Sequence, residues 1–539
     1  MASTSPNPQN LGAATPKTIP EMLRNSVART PDRSAFVFFD HDKTLTYAEL
    51  DDQVRRVAHA LQHRGVRKGT HVALMLPNVI EFPVTWLAIA WLGAVSVQLN
   101  PQFTGRELDY ALNDADVDFL VIDETCLASL NAMQQRTERL ADSNIIVRSD
   151  GQVPKHHVAW QELATADPLP PEPPSELSAH DVIAILYTSG TTGFPKGCML
   201  DHRYWLQISA GALHAQGGHK PRNVLIYEPM FYIQGNAIFI ASLLANATIY
   251  CPARSSISKF FEWVHRYTID YCAFPVPALH IMDDIPAKMG ASLKWVHAWY
   301  FPKGGLERLE KRFDVIGRDS YAMTENGLCL YVPVDRPDLA ISGSVGVPAP
   351  WREIRIVDDQ GNDVADGEVG EAWTSGPGHL HGYYRKTAAN RESFKGNWFR
   401  TGDLMRRDDD GGYYLVGRMK DMVKRSGENI SAAEVEACLN AMSGVAMAAV
   451  VPVPDRVRGE EVKAYIQLVP GRSQKDTPPQ QVFQHCSEHL AGFKIPRYLA
   501  YVDAFPMTAG NDKISKPKLT RDSGDLTFGA YDRVDEIWR

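Results

Sequence analysis

Long apolar runs, paired cysteines and an excess of positive charge are all missing from this chain. Its two most apolar stretches are interrupted: residues 72–99 hold Asn78, Glu81 and two prolines, and residues 233–249 hold Gln234, Asn236 and Asn246. Neither supplies the roughly 18 uninterrupted apolar residues of a membrane helix, so both read as buried core and no membrane partner is expected. The seven cysteines are odd in number, scattered and without a CxxC pair. That excludes a disulfide framework or a zinc ribbon and favours reduced, buried thiols, which suit a cytoplasmic location. A formal net charge of -8 leaves no basis for a nucleic-acid footprint. Residues 1–17 lack an apolar leader segment and are expected to be a flexible tail that addresses the chain nowhere.

What is present is a layered α/β pattern. Thr46 and Glu49 form a capping box ahead of Leu50, Val54, Val57 and Leu61 at helical spacing, and Gly65 stops the run. Short apolar runs at 72–76, 118–122, 145–147, 182–187, 224–226 and 248–250 read as buried strands of largely parallel sheets, separated by helix-length segments. Residues 351–375 read instead as short antiparallel strands. After a polar run at 418–429, Ser431 and Glu434 suggest a second capping-box helix, followed by strands over 445–453 and 462–469 and a helix over 482–490. The expected fold is α/β: a large multi-sheet N-terminal domain, 18–419, and a smaller mobile α+β domain, 420–539.

One loop cannot serve a core. Tyr187–Gly197, YTSGTTGFPKG, offers backbone amides, the hydroxyls of Thr188, Ser189, Thr191 and Thr192, the glycines Gly190 and Gly193, and the ammonium of Lys196. Such a loop makes a concave anion site, although its spacing is not that of a Walker A loop. Composition alone leaves a phosphate cradle and a plain surface turn both open.

Four further segments follow in order: Ser320–Glu325 (SYAMTE), Trp398–Asp403 (WFRTGD), Gly417–Asp421 continuing to Gly427, and Asp512–Lys516. Together with the loop they resemble the adenylate-forming superfamily of acyl- and aryl-CoA ligases, luciferases and peptide-synthetase adenylation domains, across about residues 18–520. The resemblance implies that a carboxylic acid attacks MgATP to give an acyl-AMP, and that a nucleophile, usually CoA, then takes the acyl group. Lys196 and the loop residues 188–193 would hold the β and γ phosphates, and Lys513 would neutralise charge growing between carboxylate and α-phosphate, with Lys516 as fallback. Tyr321 would cover adenine, Asp403 would accept from the ribose hydroxyls, and Arg418 would support ribose or phosphate. Thr324 would touch the α-phosphate and Glu325 would hold Mg²⁺. Tyr232, Gln234, Asn236, Trp299, Tyr300, Phe301, Ala322 and Met323 would line the acid pocket, Lys420 would be the hinge, and Gly427 would line the thiolation site. A homodimer is an expectation from the family's habit.

Three departures bear on the substrate. Tyr232 stands where these ligases commonly carry histidine. Trp299-Tyr300-Phe301 replaces a small, glycine-rich loop, which argues for a small aromatic or small polar acid. One extra residue and Asp512 precede Lys513. The leading expectation is an AMP-forming acid–CoA ligase. The runner-up adenylates the same acid but passes the acyl group to an amine, and a binding protein that has lost turnover is a third reading.

Overall fold

The computed structural model describes residues 16–135, 137–188, 195–299, 301, 304–425, 428–507, 514–520 and 525–539. These fold as two compact units: 1–354 with 374–400 and 411–413, and 355–373 with 401–410 and 414–539. The second unit therefore takes in Asp403 and Arg418, upstream of the composition change near Lys420. The chain passes between the units inside strands Gly370–Ser375 and Trp398–Arg407.

In the first unit, one sheet runs Val158–Ala159, Ile145–Arg148, Phe119–Asp123, His71–Met75, Val95–Gln98, Val182–Thr188 and Lys196–Asp201 in spatial order. All neighbours are parallel except the last pair. Strands Phe119–Asp123 and Val95–Gln98 are buried at every position, as parallel strands covered on both faces must be. A second sheet is parallel through its centre, Ser34–Phe38, Thr248–Cys251, Asn223–Leu225, Tyr271–Ala273, Trp295–Ala298 and Ile316–Met323. It turns antiparallel at both margins, where Lys43–Thr46 and Gly327–Tyr331 are joined. The helix Glu81–Trp91 is buried all round, which accounts for its lack of a polar face. Its Trp86 packs edge-on against Trp205 at 5.7 Å between ring centres. The Thr46 capping box forms in full on helix Tyr47–His63.

In the second unit, strands Val445–Asp455 and Gly459–Leu468 form an antiparallel hairpin. Helix Ala432–Asn440 is capped by Ser431, whose Oγ accepts from Glu434 N, but Glu434 does not reach back. Its carboxylate takes Lys494 Nζ at 2.6 Å instead, because a cation outcompetes a neutral amide for it. The helix expected over 482–490 begins earlier, at Pro479, whose missing N–H is an orphan at that position anyway. Among the described residues no helix is long and apolar enough to cross a membrane.

Two buried imidazoles make the first unit acid-sensitive. His202 Nδ1 accepts from Ile19 N at 3.1 Å, fixing the first helix, Ile19–Arg29. Burial lowers its pKa to about 4, and burial lowers that of His297, on strand Trp295–Ala298, to about 3. Both folded values lie below the unfolded value of about 6.5. The unfolded chain therefore binds protons first as pH falls, and stability held above 6.5 is lost towards pH 4. At pH 5 each imidazole withdraws about 2 kcal/mol. The thermal midpoint should fall between pH 7 and pH 5, and His202→Asn should reduce that fall; an identical fall in the variant would refute the assignment.

Candidate active site

Strand Val182–Thr188 and strand Lys196–Asp201 are the two arms of a hairpin whose tip is the signature loop, with Thr188 paired to Lys196. Ser189, Gly190, Thr191, Thr192 and Gly193 lie outside the described residues. The loop leads into strand Lys196–Asp201 rather than into a helix. The hairpin's loop end is anchored by phenols. Tyr110 Oη donates to Pro195 O at 2.8 Å, and Tyr187 Oη donates to Asp114 Oδ2 at 3.0 Å.

A segment not singled out by its sequence completes the arrangement. Residues 381–384 pair antiparallel with strand Lys196–Asp201 through His381 N to Met199 O, Met199 N to Gly382 O, and Tyr384 N to Gly197 O. This places the Tyr383 ring under Lys196, with Nζ 4.0 Å from the ring centre. Tyr383 Oη then donates to Glu325 Oε1 at 3.0 Å. Burial and the neighbouring Glu325 push the Tyr383 phenol well above its ordinary range, so it remains a donor. The cation of one motif and the carboxylate of another thus meet at one ring.

Thr324 and Glu325 occupy the tight turn between strands Ile316–Met323 and Gly327–Tyr331, closed by pairing of Met323 with Gly327. Gly327 has φ +64°, which suits glycine at this turn. Beneath it, Arg352 is buried and donates to Leu328 O, Pro377 O, Gly378 O and Asn326 O, which fixes the turn. Glu325 is buried and Thr324 is half-buried. The Glu325 carboxylate is a hard oxygen donor of the kind that Mg²⁺ takes, an ion that would draw its remaining oxygens from phosphate and water. Tyr321 is buried, and its hydroxyl lies 3.0 Å from Met323 Sδ; Ala322 and Met323 are half-buried against the main core.

The pocket residues divide. Tyr232 is the N-cap of helix Ile233–Leu244, and its hydroxyl accepts from Asn100 Nδ2 at 3.2 Å. Asn236 is fully buried and donates to Met230 O and Tyr232 O, so it holds the turn rather than an open cavity. Gln234 donates to Glu228 Oε1 at 2.6 Å. Trp299 stacks on His297 at 4.8 Å and 14°. The His297 imidazole is in turn 2.8 Å from Ser320 Oγ through Nε2, and stays neutral. Phe301 goes elsewhere, against Phe274 at 5.7 Å, so it and Trp299 serve different clusters. Tyr300 lies outside the described residues.

In the second unit Asp403 is buried and Arg418 Nε meets its Oδ1 at 2.9 Å. Asp403 N donates to Thr401 Oγ1, and Gly402, at φ +69°, bends the strand between them. Lys516 Nζ is held by Glu436 at 2.7 Å. Lys513, Gly427 and the Lys420 side chain lie outside the described residues. Sequence reasoning missed Tyr383, Asn100 and Glu228. The repeated tyrosines of His381-Gly-Tyr-Tyr were the available signal for the first, and nothing local marked the other two.

Similarity to known proteins agrees with this geometry. Residues 23–384 match the AMP-binding enzyme family and residues 434–511 match the AMP-binding enzyme C-terminal domain. The chain is 29% identical to a 2-succinylbenzoate–CoA ligase of Bacillus licheniformis, over 93% of this chain and 99% of that one. Among solved structures, it is 26% identical to the Bacillus subtilis o-succinylbenzoate CoA synthetase in complex with its acyl-adenylate, with a TM-score of 0.78 over 94% of this chain and 98% of that one. An anthranilate CoA ligase in complex with anthranoyl-AMP shares the fold at 24% identity, with a TM-score of 0.84 over 94% and 97% of the two chains. The chain therefore belongs to the AMP-binding enzymes of the adenylate-forming superfamily, whose common reaction is AMP-forming activation of a carboxylic acid.

Proposed function

We propose that the protein activates a small aromatic or small polar carboxylic acid as its acyl-adenylate and transfers the acyl group to the thiol of CoA. The observation that carries this reading is the Lys196–Tyr383–Glu325 contact, which sets a phosphate-binding cation and a carboxylate around one ring. In this reading Lys196 and the loop amides hold the β and γ phosphates of ATP, and Glu325 is the residue that would hold Mg²⁺. The ion, when bound, supplies charge neutralisation at the phosphates. Tyr383 keeps the Glu325 carboxylate oriented by its hydrogen bond. Thr324 lies beside Glu325 for the α-phosphate, and Tyr321 covers adenine.

Lys513 approaches the carboxylate and α-phosphate as negative charge grows between them. Asp403 accepts from the ribose hydroxyls, with Arg418 already paired to it to assist. Lys420 is the hinge about which the smaller domain, 420–539, turns to bring Gly427 to the thiol. Release of pyrophosphate and then of AMP completes the balance. The aromatic stack of His297 and Trp299 supports a short or flat acid, because two rings fill volume that a long acyl chain would need.

CoA is the preferred acceptor because the smaller domain carries the Lys424–Asn429 segment, KRSGEN, which favours acyl transfer to CoA. Incubation with ATP, Mg²⁺, a panel of acids and either CoA or an amine mixture, read by mass spectrometry, should yield a thioester; an amide instead would move the protein to the amide-forming branch. Lys513→Ala should lower acid-dependent pyrophosphate release by about 10²–10³ with ATP binding retained, and undiminished adenylation would remove Lys513 from its role. Trp299→Gly should extend the accepted acids towards bulkier ones, measured as relative kcat/KM across the panel. An unchanged ranking would show that the indole does not bound the pocket.

A further inference from the structure

Immediately before the Pro229–Tyr232 turn stands an acidic side chain that the proposed reaction does not use. The backbone carrying Glu228 is rigid. Asn78 donates to Glu228 O at 3.0 Å and accepts from Met230 N at 2.8 Å, and Tyr232 N closes the turn on Pro229 O at 3.3 Å. Gly235 presses so closely that an added Cβ would lie 2.6 Å from Pro229 O. The carboxyl itself is incompletely satisfied. Gln234 donates to Oε1 at 2.6 Å, whereas Oε2 is buried without a hydrogen-bond partner.

Among the described residues no lysine, arginine or histidine forms an ion pair with Glu228; of its neighbours, burial pushes the Tyr271 phenol and the Cys251 and Cys272 thiols up, so these stay neutral at pH 7. Burial pushes the Glu228 pKa up to about 8, and the Glu228 and Tyr227 backbone amides, with the Tyr227 and Gln234 side chains, only partly offset this. Aromatic side chains lie on the same turn and along neighbouring strands of the sheet. Phe231 and Tyr232 lie 4.4 Å apart, and Tyr271, Trp295, His297 and Trp299 follow one another at 5.7, 5.0 and 4.8 Å. One open carboxyl oxygen among thiols and rings is a poor metal site, since a hard cation demands several oxygens. It matches an organic cation, to which a carboxylate gives charge and ring faces give cation–π attraction in a dry setting.

We propose that Glu228 selects an acid that also carries an ammonium or quaternary ammonium group, with the acid's carboxylate end at Tyr232 and the 320–325 turn. This rests on the acid-activation reading above and narrows its substrate class to zwitterionic acids. Pairing with the cation requires the ionised carboxyl, so binding near pH 7 expels the proton that the empty site holds.

The test uses isosteric pairs: 4-(trimethylammonio)butanoate against 5,5-dimethylhexanoate, and 4-(aminomethyl)benzoate against 4-ethylbenzoate. Acid-dependent ATP–pyrophosphate exchange is measured alongside calorimetric binding at pH 7 in two buffers of different ionisation enthalpy. The wild-type protein should favour the cationic member of at least one pair about tenfold or more and release close to one proton on binding it. Glu228→Gln should bring the ratio near unity and abolish the proton release. A preference for the neutral acids, binding of neither member, or a ratio and proton release that survive Glu228→Gln would overturn the proposal. Exchange with neutral acids alone would overturn it while leaving acid activation intact. Binding of a cationic acid with proton release but no exchange would uphold the subsite and defeat the activation reading.

Discussion

The seam between residues 381–384 and strand Lys196–Asp201 is the constraint on which the site's order depends. Three backbone hydrogen bonds fix it, and their register decides that Tyr383, and not the neighbouring Tyr384, lies under Lys196 and reaches Glu325. Strand side chains alternate faces, so the same register sends Tyr384 the opposite way, to Asp116 at 2.9 Å. One tyrosine therefore organises the candidate phosphate site while the next anchors the hairpin's foundation. Segments separated by more than fifty residues act together through main-chain geometry rather than through a dedicated chain of charged contacts.

Much of the architecture was legible because it is written in periodicity. The Thr46 box and the buried strands at 72–76 and 145–147 all carry local signals that local structure obeys. The Ser431 box was legible only in part, since Glu434 has a competitor, Lys494, sixty residues away that no local pattern could announce. The candidate site divides in the same manner. Motifs named Lys196, Thr324, Glu325 and Asp403, but Tyr383 is chosen by a sheet register, and a register is a relation between distant segments. The aromatic triplet shows the limit most clearly. Trp299 and Phe301 read as one crowded wall in sequence, whereas both lie beyond the end of strand Trp295–Ala298, where strand periodicity no longer holds, and they pack into two different clusters.

Arg352, which is buried, and Glu228, which is half-buried, are two solutions to an ionisable group withdrawn from water in the same unit. Arg352 is surrounded by four backbone carbonyls, whose dipoles stand in for water around a group that cannot give up its charge. A carboxyl can give up its charge, and Glu228, short of partners, is held towards its protonated form. The first environment is complete without any ligand. The second is not, and that difference separates a structural ion from a group left open to chemistry.

Strand Lys196–Asp201 has a further consequence for how such a protein can change over evolutionary time. At one end it carries the lysine of the loop, and at the other Asp201, which caps helix His202–Ala215 by accepting from Tyr204 N at 2.7 Å. The strand is in effect a ruler about 17 Å long, at roughly 3.3 Å per residue, with a functional mark at each end. Substitutions along it alter packing one position at a time. A single inserted or deleted residue would invert one mark relative to the other, so drift in this lineage should accumulate as replacements here and reserve changes of length for the surface loops.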